Sequence, residues 1–267
     1  SADAAAADAR RGGGSAVLRS QVAFGLDLLR WILLATLVGL LAGGAAAAFL
    51  ISLRWATDAF DTHGALLWFL PLAGLAIGLV YHHGGGRAAQ GNDLIIDEIH
   101  DPTDWVPRRM APMIFVGTVV THLFGGSAGR EGTAIQMSGS LTDLASRVMR
   151  LGRDDRRIML ITAIAGGFGA VFGVPLAGAV FALEVQSIGR LRYEALVPCL
   201  VASVTGDLVV RGLGVQHTLT PHLGDVHLSV GLLLKVALAG VCFGLVSVAF
   251  SLSDHWIRRV FRRWVAW

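Results

Sequence analysis

Apolar runs of unequal length, several broken by glycine or proline, fill most of this 267-residue chain. The two long ones cover residues 22–55 and 230–250, the second continuing amphipathically to 267. Between them lie shorter pieces at 66–81, 110–124, 133–149, 158–172, 175–185 and 196–210. A helix needs about 20 apolar residues to cross a bilayer. The long runs can cross at a tilt, and several of the others cannot cross alone. Helices broken at membrane depth are tolerated only where protein or a cavity surrounds them, as in transporters. A bundle of even, full-length spans is therefore not expected. Composition agrees: 54% of the residues are hydrophobic and 15% charged, against about a quarter charged in soluble domains. That excludes a disordered chain and argues against a soluble enzyme. The net charge of +3, with no basic stripe, excludes a nucleic-acid partner. The expected class is an all-α, polytopic membrane protein whose partner is the lipid bilayer.

Arginine asymmetry orients it. Arg10, Arg11, Arg19 and Arg30 precede or enter the first span, and Arg258, Arg259, Arg262 and Arg263 follow the last. Both termini are expected in the cytoplasm, with the acidic 58–62 loop and the 212–229 loop outside. Residues 1–20 read as a cytoplasmic tail, partly disordered. Cys199 and Cys242 lie in apolar runs and read as small core residues. His63, His217, His222 and His227 read as solvated loop residues, and His82 and His83 as the end of a span. Neither a metal nor a cofactor is expected. Pairs of glycines four apart (Gly39/Gly43, Gly74/Gly78, Gly169/Gly173, Gly240/Gly244) fit close helix packing.

The stretch Gly125-Gly126-Ser127-Ala128-Gly129-Arg130-Glu131-Gly132-Thr133 carries the most chemistry. A charged pair stands between apolar flanks, with glycine on each side. An acid at membrane depth is costly and marks a functional site by default. If a helix starts near Gly132, its free amides and its dipole form an anion site. The Glu131 carboxylate can then occupy that site itself and leave it on protonation, which makes a proton-coupled gate. The alternative is an Arg130–Glu131 pair in a polar interfacial loop. Gly125-x-Ser127-x-Gly129 also fits a nucleophile elbow. That motif needs a preceding strand and a sheet, and His122 is badly placed as a base, so no enzyme is expected.

Gly91-Asn92-Asp93-Leu94-Ile95-Ile96-Asp97-Glu98-Ile99-His100 is the second informative stretch. Asn92 suits the cap of a short helix over 93–99. It is either an amide donor to an anion at a helix tip or an ordinary cap on a surface helix. Asp97, Glu98 and His100 are expected to face cytosolic water. Glu184, late in VPLAGAVFALEVQ, is either a proton relay or a helix-end acid paired with Arg190 or Arg192.

GGSAGREGTAIQMSGSL resembles the G-x-x-x-G-[RK]-E-G-P signature of the CLC anion channels and antiporters. FGVPLAGAVFALE resembles the following stretch of that family. Two departures, Thr133 for the usual proline and Gly91-Asn92-Asp93-Leu94-Ile95 for the usual G-S-G-I-P, resemble its fluoride-specific clade. The resemblance implies fluoride export by fluoride/proton antiport across a bacterial inner membrane, with chloride/proton exchange or a chloride channel as the alternative. It implies an anion site at Asn92, Gly91, Gly129, Arg130, Gly132 and Thr133, with Glu131 as gate and proton carrier and Glu184 as a possible relay. The family's inner proton-transfer position falls on Val185. The family is built from two inverted repeats and forms homodimers. By that resemblance residues 21–211 correspond to the first repeat and 230–267 to the first helix of the second. The chain is then either a fragment or a half whose missing second repeat is supplied in cis or in trans, a non-conducting half that needs a partner segment being a further alternative. Neither Tyr81 nor Tyr193 stands where the family's late tyrosine ligand would be.

Overall fold

The computed structural model describes residues 2–185, 192–217 and 229–264. Among them there are nine α-helices, three short 3₁₀ helices and no strand. α1 runs Ala2–Thr62 and α2 Leu70–Gly84, entered through a 3₁₀ turn at Gly64–Phe69. A second 3₁₀ turn, Gly86–Gln90, leads into α3, Asn92–His100. Then come α4 (Met110–Leu123), α5 (Arg130–Val148), α6 (Arg153–Phe172) and α7 (Pro175–Glu184). A turn at Tyr193–Ala195 opens α8, Leu196–Gly212, and α9 covers Val230–Trp264.

The described residues fall into two compact units, 1–217 and 218–267. In the second, α9 has 35 residues, about 50 Å of helix at about 1.5 Å per residue. That length exceeds the ~30 Å hydrocarbon core. Segments Ser20–Thr62, Gly64–Gly84, Tyr193–Gly212 and Val230–Phe261 are long and apolar enough to span, while Met110–Leu123 and Pro175–Glu184 are too short. The unequal lengths expected from the apolar runs are thus present.

α6 is the axis of the first unit and packs against α1, α5, α7 and α8. Its Met159, Leu160, Ile161, Ala163, Ile164 and Ala165 are fully buried. Small residues set the spacing. A Cβ on Gly39 would stand 2.6 Å from Thr205 Cβ, and one on Gly43 would stand 2.7 Å from Val209 Cβ, so α1 and α8 meet at these two glycines. Gly74, Gly78, Gly240 and Gly244 have nothing within 4 Å in the described residues. α6 ends at Gly173, whose φ of 68° is the left-handed cap that glycine favours. Pro175 then opens α7 at its first turn.

Three expectations are corrected here. The tail is helical from Ala2 and continuous with the first span, in keeping with the helix propensity of its alanines. α5 starts at Arg130 rather than 133, and it is a buried polar helix rather than an apolar one. Two of its hydroxyls are tied down within the helix, Ser138 donating to the Ala134 carbonyl (2.7 Å) and Ser146 to Thr142 (2.9 Å), and a third, Ser140, donates to the Pro107 carbonyl (3.0 Å) before α4. His217 is half-buried, its Nε2 2.9 Å from the Ala170 carbonyl oxygen, rather than a solvated loop residue. Arg190, His222 and His227 lie outside the described residues.

Candidate functional site

Gly91 has φ 66° and ψ −136°, a conformation that costs residues with a Cβ. It turns the chain sharply from the Gly86–Gln90 turn into α3. Asn92 is thereby the first residue of α3 instead of its cap. Its side chain lies against the start of α5: a Cβ on Gly132 would stand 3.1 Å from Asn92 Nδ2 and 3.6 Å from its Oδ1. Two helix N-termini therefore converge, with an asparagine amide between them. A helix start leaves up to four backbone N–H groups without a helical partner, and its dipole adds positive potential; at α3 the Gly91 amide is already taken by the Ala88 carbonyl at 3.3 Å.

At α5 the free amides are counted forward from the N-cap and belong to Gly129, Arg130, Glu131 and Gly132. The amide of Thr133 is then at the first rung of the ladder. Its side chain is buried, with Oγ1 2.8 Å from Thr118 Oγ1 and donating to the Gly129 carbonyl at 3.2 Å. Gly129, Arg130 and Glu131 are exposed. Glu131 sits in the first turn of α5, and no ion pair joins it to Arg130 among the described residues. Its carboxylate is at the helix start, as expected, but open rather than enclosed.

Two polar residues that pattern reading passes over complete this corner. Gln136, 7% exposed, donates from Nε2 to Asn92 Oδ1 at 3.2 Å. Thr118 holds Thr133 from α4. Beside them opens a cavity of about 320 Å³ whose wall includes Tyr81, Gly91, Thr118, Thr121 and Gln136. The i+4 spacing of Gly132 and Gln136 is the one signal in the sequence for Gln136, and Thr118 has none.

Behind α3 lies a buried charge cluster that overturns the expectation for Glu98. Glu98 is 1% exposed. It accepts from Arg87 (2.5 Å), Arg156 (3.0 Å), the Thr103 and Asp104 amides (3.1 and 3.2 Å) and the Thr103 hydroxyl (3.2 Å). Arg156 also grips Asp143 through Nε (2.6 Å) and Nη2 (3.0 Å), donates to the Asp104 carbonyl (2.7 Å) and lies 4.7 Å from the Trp105 ring centre. Asp143 further accepts from the Val106 amide at 2.6 Å. Burial pushes the Glu98 carboxyl up, but hydrogen bonds from Arg87 and Arg156 and the Arg156 charge outweigh it and hold it below the usual carboxylate range. The cluster fastens α3 to α5 and α6 behind Asn92. Asp97 and His100 are exposed, as expected.

Glu184 is exposed at the last residue of α7. Arg192 pairs with Glu194 at 3.2 Å instead of with Glu184. Ser127 is exposed with no strand before it, and His122 Nδ1 lies 2.9 Å from the carbonyl oxygen of Thr118 on its own helix. Nothing there assembles a nucleophile and base.

A family model described as "Voltage gated chloride channel" matches residues 73–267. The chain belongs to this family, the CLC proteins. It is 51% identical over 234 residues to the "Chloride/fluoride channel protein" of Pseudomonas syringae pv. tomato, covering 86% of this chain and 52% of that one. It is 28% identical over 241 residues to the "H(+)/Cl(-) exchange transporter ClcA" of Vibrio vulnificus, covering 82% and 50%. A solved structure, "Crystal structure of a CLC-type fluoride/proton antiporter", matches with a TM-score of 0.82 at 31% identity, covering 89% of this chain and 60% of that one. The CLC chain described here thus spans about half the length of the curated relatives it matches. It is a multi-pass membrane protein of CLC fold.

Proposed function

We propose that this chain is the first half of a two-repeat CLC antiporter that exports fluoride in exchange for protons across a bacterial inner membrane, with both termini of the chain in the cytoplasm. The observation that carries this is the Asn92 amide wedged against Gly132, between the starts of α3 and α5. A small, hard anion is held best by several N–H donors replacing its water, and two helix N-termini with a carboxamide supply them. Asn92, Gly129, Arg130 and Gly132 supply the donors of the anion side, fluoride taking it in preference to chloride; Gly91 belongs to the site as the turn that aims Asn92, and Thr133 as the residue that pins the first turn of α5. Glu131, in the first turn of α5, competes for the same amides and couples each anion to a proton. Its exposure in the first unit leaves it open to a second repeat, in cis or in trans, that would close over it. Glu184, open at the end of α7, stands free to relay protons. The P. syringae relative and the matched antiporter structure both carry fluoride in their names, which supports the choice of anion. Two copies form the working homodimer.

The test is anion selectivity. Liposomes holding the complete two-repeat protein are loaded with fluoride or chloride, and efflux of each is followed with ion electrodes. The expected result is fluoride efflux that chloride barely competes with, and a weakened preference in Asn92→Ser. Equal selectivity in the two proteins rejects Asn92 as a ligand. Chloride efflux as fast as fluoride in the parent protein replaces fluoride export by chloride exchange.

A further inference from the structure

Gln136 is a buried amide four residues after Gly132 on α5, and so on the same helical face. A carboxamide has two unlike ends: an oxygen that only accepts and an NH2 that only donates. Whichever end of Asn92 is engaged by a neighbour decides which end is left for a ligand. Gln136 Nε2 donates to Asn92 Oδ1 at 3.2 Å. The other end, Nδ2, is the Asn92 atom nearest Gly132, 3.1 Å from the place a Cβ would occupy, against 3.6 Å for Oδ1.

We propose that Gln136 is a positioning residue that sets anion selectivity by occupying the Asn92 carbonyl and so holding the N–H donors of Asn92 toward the start of α5. The proposal rests on the assignment of Asn92 as an anion ligand. With Gln136 in place, an anion approaching Gly132 meets donors from both helix starts and from the side chain. Without it, the Asn92 amide is free to turn over and offer its carbonyl lone pairs, which repel an anion. Gln136 is 7% exposed and Asn92 half-buried, so water competes for Asn92 Oδ1 less than it would on an open surface. Gln136 also lies over Gly91, where a Cβ would stand 3.6 Å from Nε2. One side chain thus touches the turn into α3, the first residue of α3 and the first turn of α5. A glutamate of the same shape reverses the pattern. Its carboxylate cannot donate to Oδ1, and it accepts from Nδ2 instead, drawing the donors away from α5.

The test uses the complete protein in liposomes and the ratio of fluoride to chloride efflux. Gln136→Glu and Gln136→Met are each made alone and with Asn92→Ser. Serine has a single rotatable hydroxyl and no amide to orient, so it serves as the background in which positioning is meaningless. In the parent background either Gln136 variant is expected to lower the ratio about tenfold, the scale of one lost hydrogen bond. In the Asn92→Ser background either is expected to change it less than about twofold. An equal fall in both backgrounds overturns the positioning role while leaving Asn92 a ligand. An unchanged ratio in Gln136→Met overturns it as well. An unchanged ratio in Asn92→Ser alone overturns the ligand assignment, and this inference with it.

Discussion

Arg156→Ala should destabilise the protein far more than removal of a surface arginine. Arg156 makes two bonds to Asp143, one to Glu98 and one to the Asp104 carbonyl, at 2.6–3.0 Å. Glu98 and Asp143 are each 1% exposed. Truncation leaves Asp143 with no cationic partner and Glu98 with Arg87 alone, both still buried. Removing one partner of a buried ion pair costs about 3–5 kcal/mol, chiefly through the charge left behind. For a chain of this size that corresponds to a fall in melting temperature on the order of 10 °C. Thermal unfolding in detergent, followed by tryptophan fluorescence and by loss of monodispersity, measures it. The cause is tested by removing the orphaned charges. Arg156→Met combined with Glu98→Gln and Asp143→Asn should recover most of the loss. The pH dependence has a definite sign. In the parent protein the Glu98 carboxyl lies below its usual range. It therefore stabilises the fold above the ordinary carboxylate range, and that contribution is lost as pH falls through the depressed value. In Arg156→Ala the same burial acts with less opposition and favours the protonated acid, so acidification relieves the variant. The gap between the two melting curves should narrow as pH falls from about 8 to about 5. A loss under about 2 °C, or a triple variant no better than the single, refutes the reasoning.

Gly132→Ala puts a methyl group 3.1 Å from Asn92 Nδ2; fluoride efflux should drop severalfold while the melting temperature, helped by alanine's helix propensity, holds. A parallel fall in stability would mean that the glycine serves packing instead. Gly43→Leu should cost about 1–3 kcal/mol by forcing α1 off α8, whereas Gly44→Leu, with nothing within 4 Å, should be close to neutral. Comparing the two melts checks this, and equal losses would contradict the close approach at Gly43.

The sequence announces some of this geometry and hides the rest for physical reasons. The break between α6 and α7 is legible because Gly173 takes a left-handed φ and Pro175 opens a helix, and both are local properties. The two ends of α3 fall within a residue of expectation for the same reason. Burial of Glu98 is not legible, since its partners Arg87 and Arg156 stand 11 and 58 residues away, and a lone acid beside Asp97 looks solvated. α5 misleads because its buried side chains are largely serine and threonine, several of them, Ser138 and Ser146 among them, satisfied by the helix's own backbone, which leaves no apolar signature. Glycine spacing shows that a close approach is possible but not where. Gly39/Gly43 meet α8, while Gly74/Gly78, with the same spacing, have open space around them. At the site, the glycine-flanked charged pair marks the start of α5 to within a turn of its position at Arg130. The i+4 spacing puts Gln136 on the face of Gly132, but the approach of Asn92 to that face spans 44 residues and leaves no trace in the local pattern.

The most direct test of the account is simultaneous measurement of fluoride efflux and proton uptake for the complete protein and its Glu131→Gln variant in liposomes. Glu131 in the first turn of α5 should make the two fluxes proportional in the parent, and the variant should take up no protons with its fluoride. Coupled uptake persisting unchanged in Glu131→Gln would contradict the account.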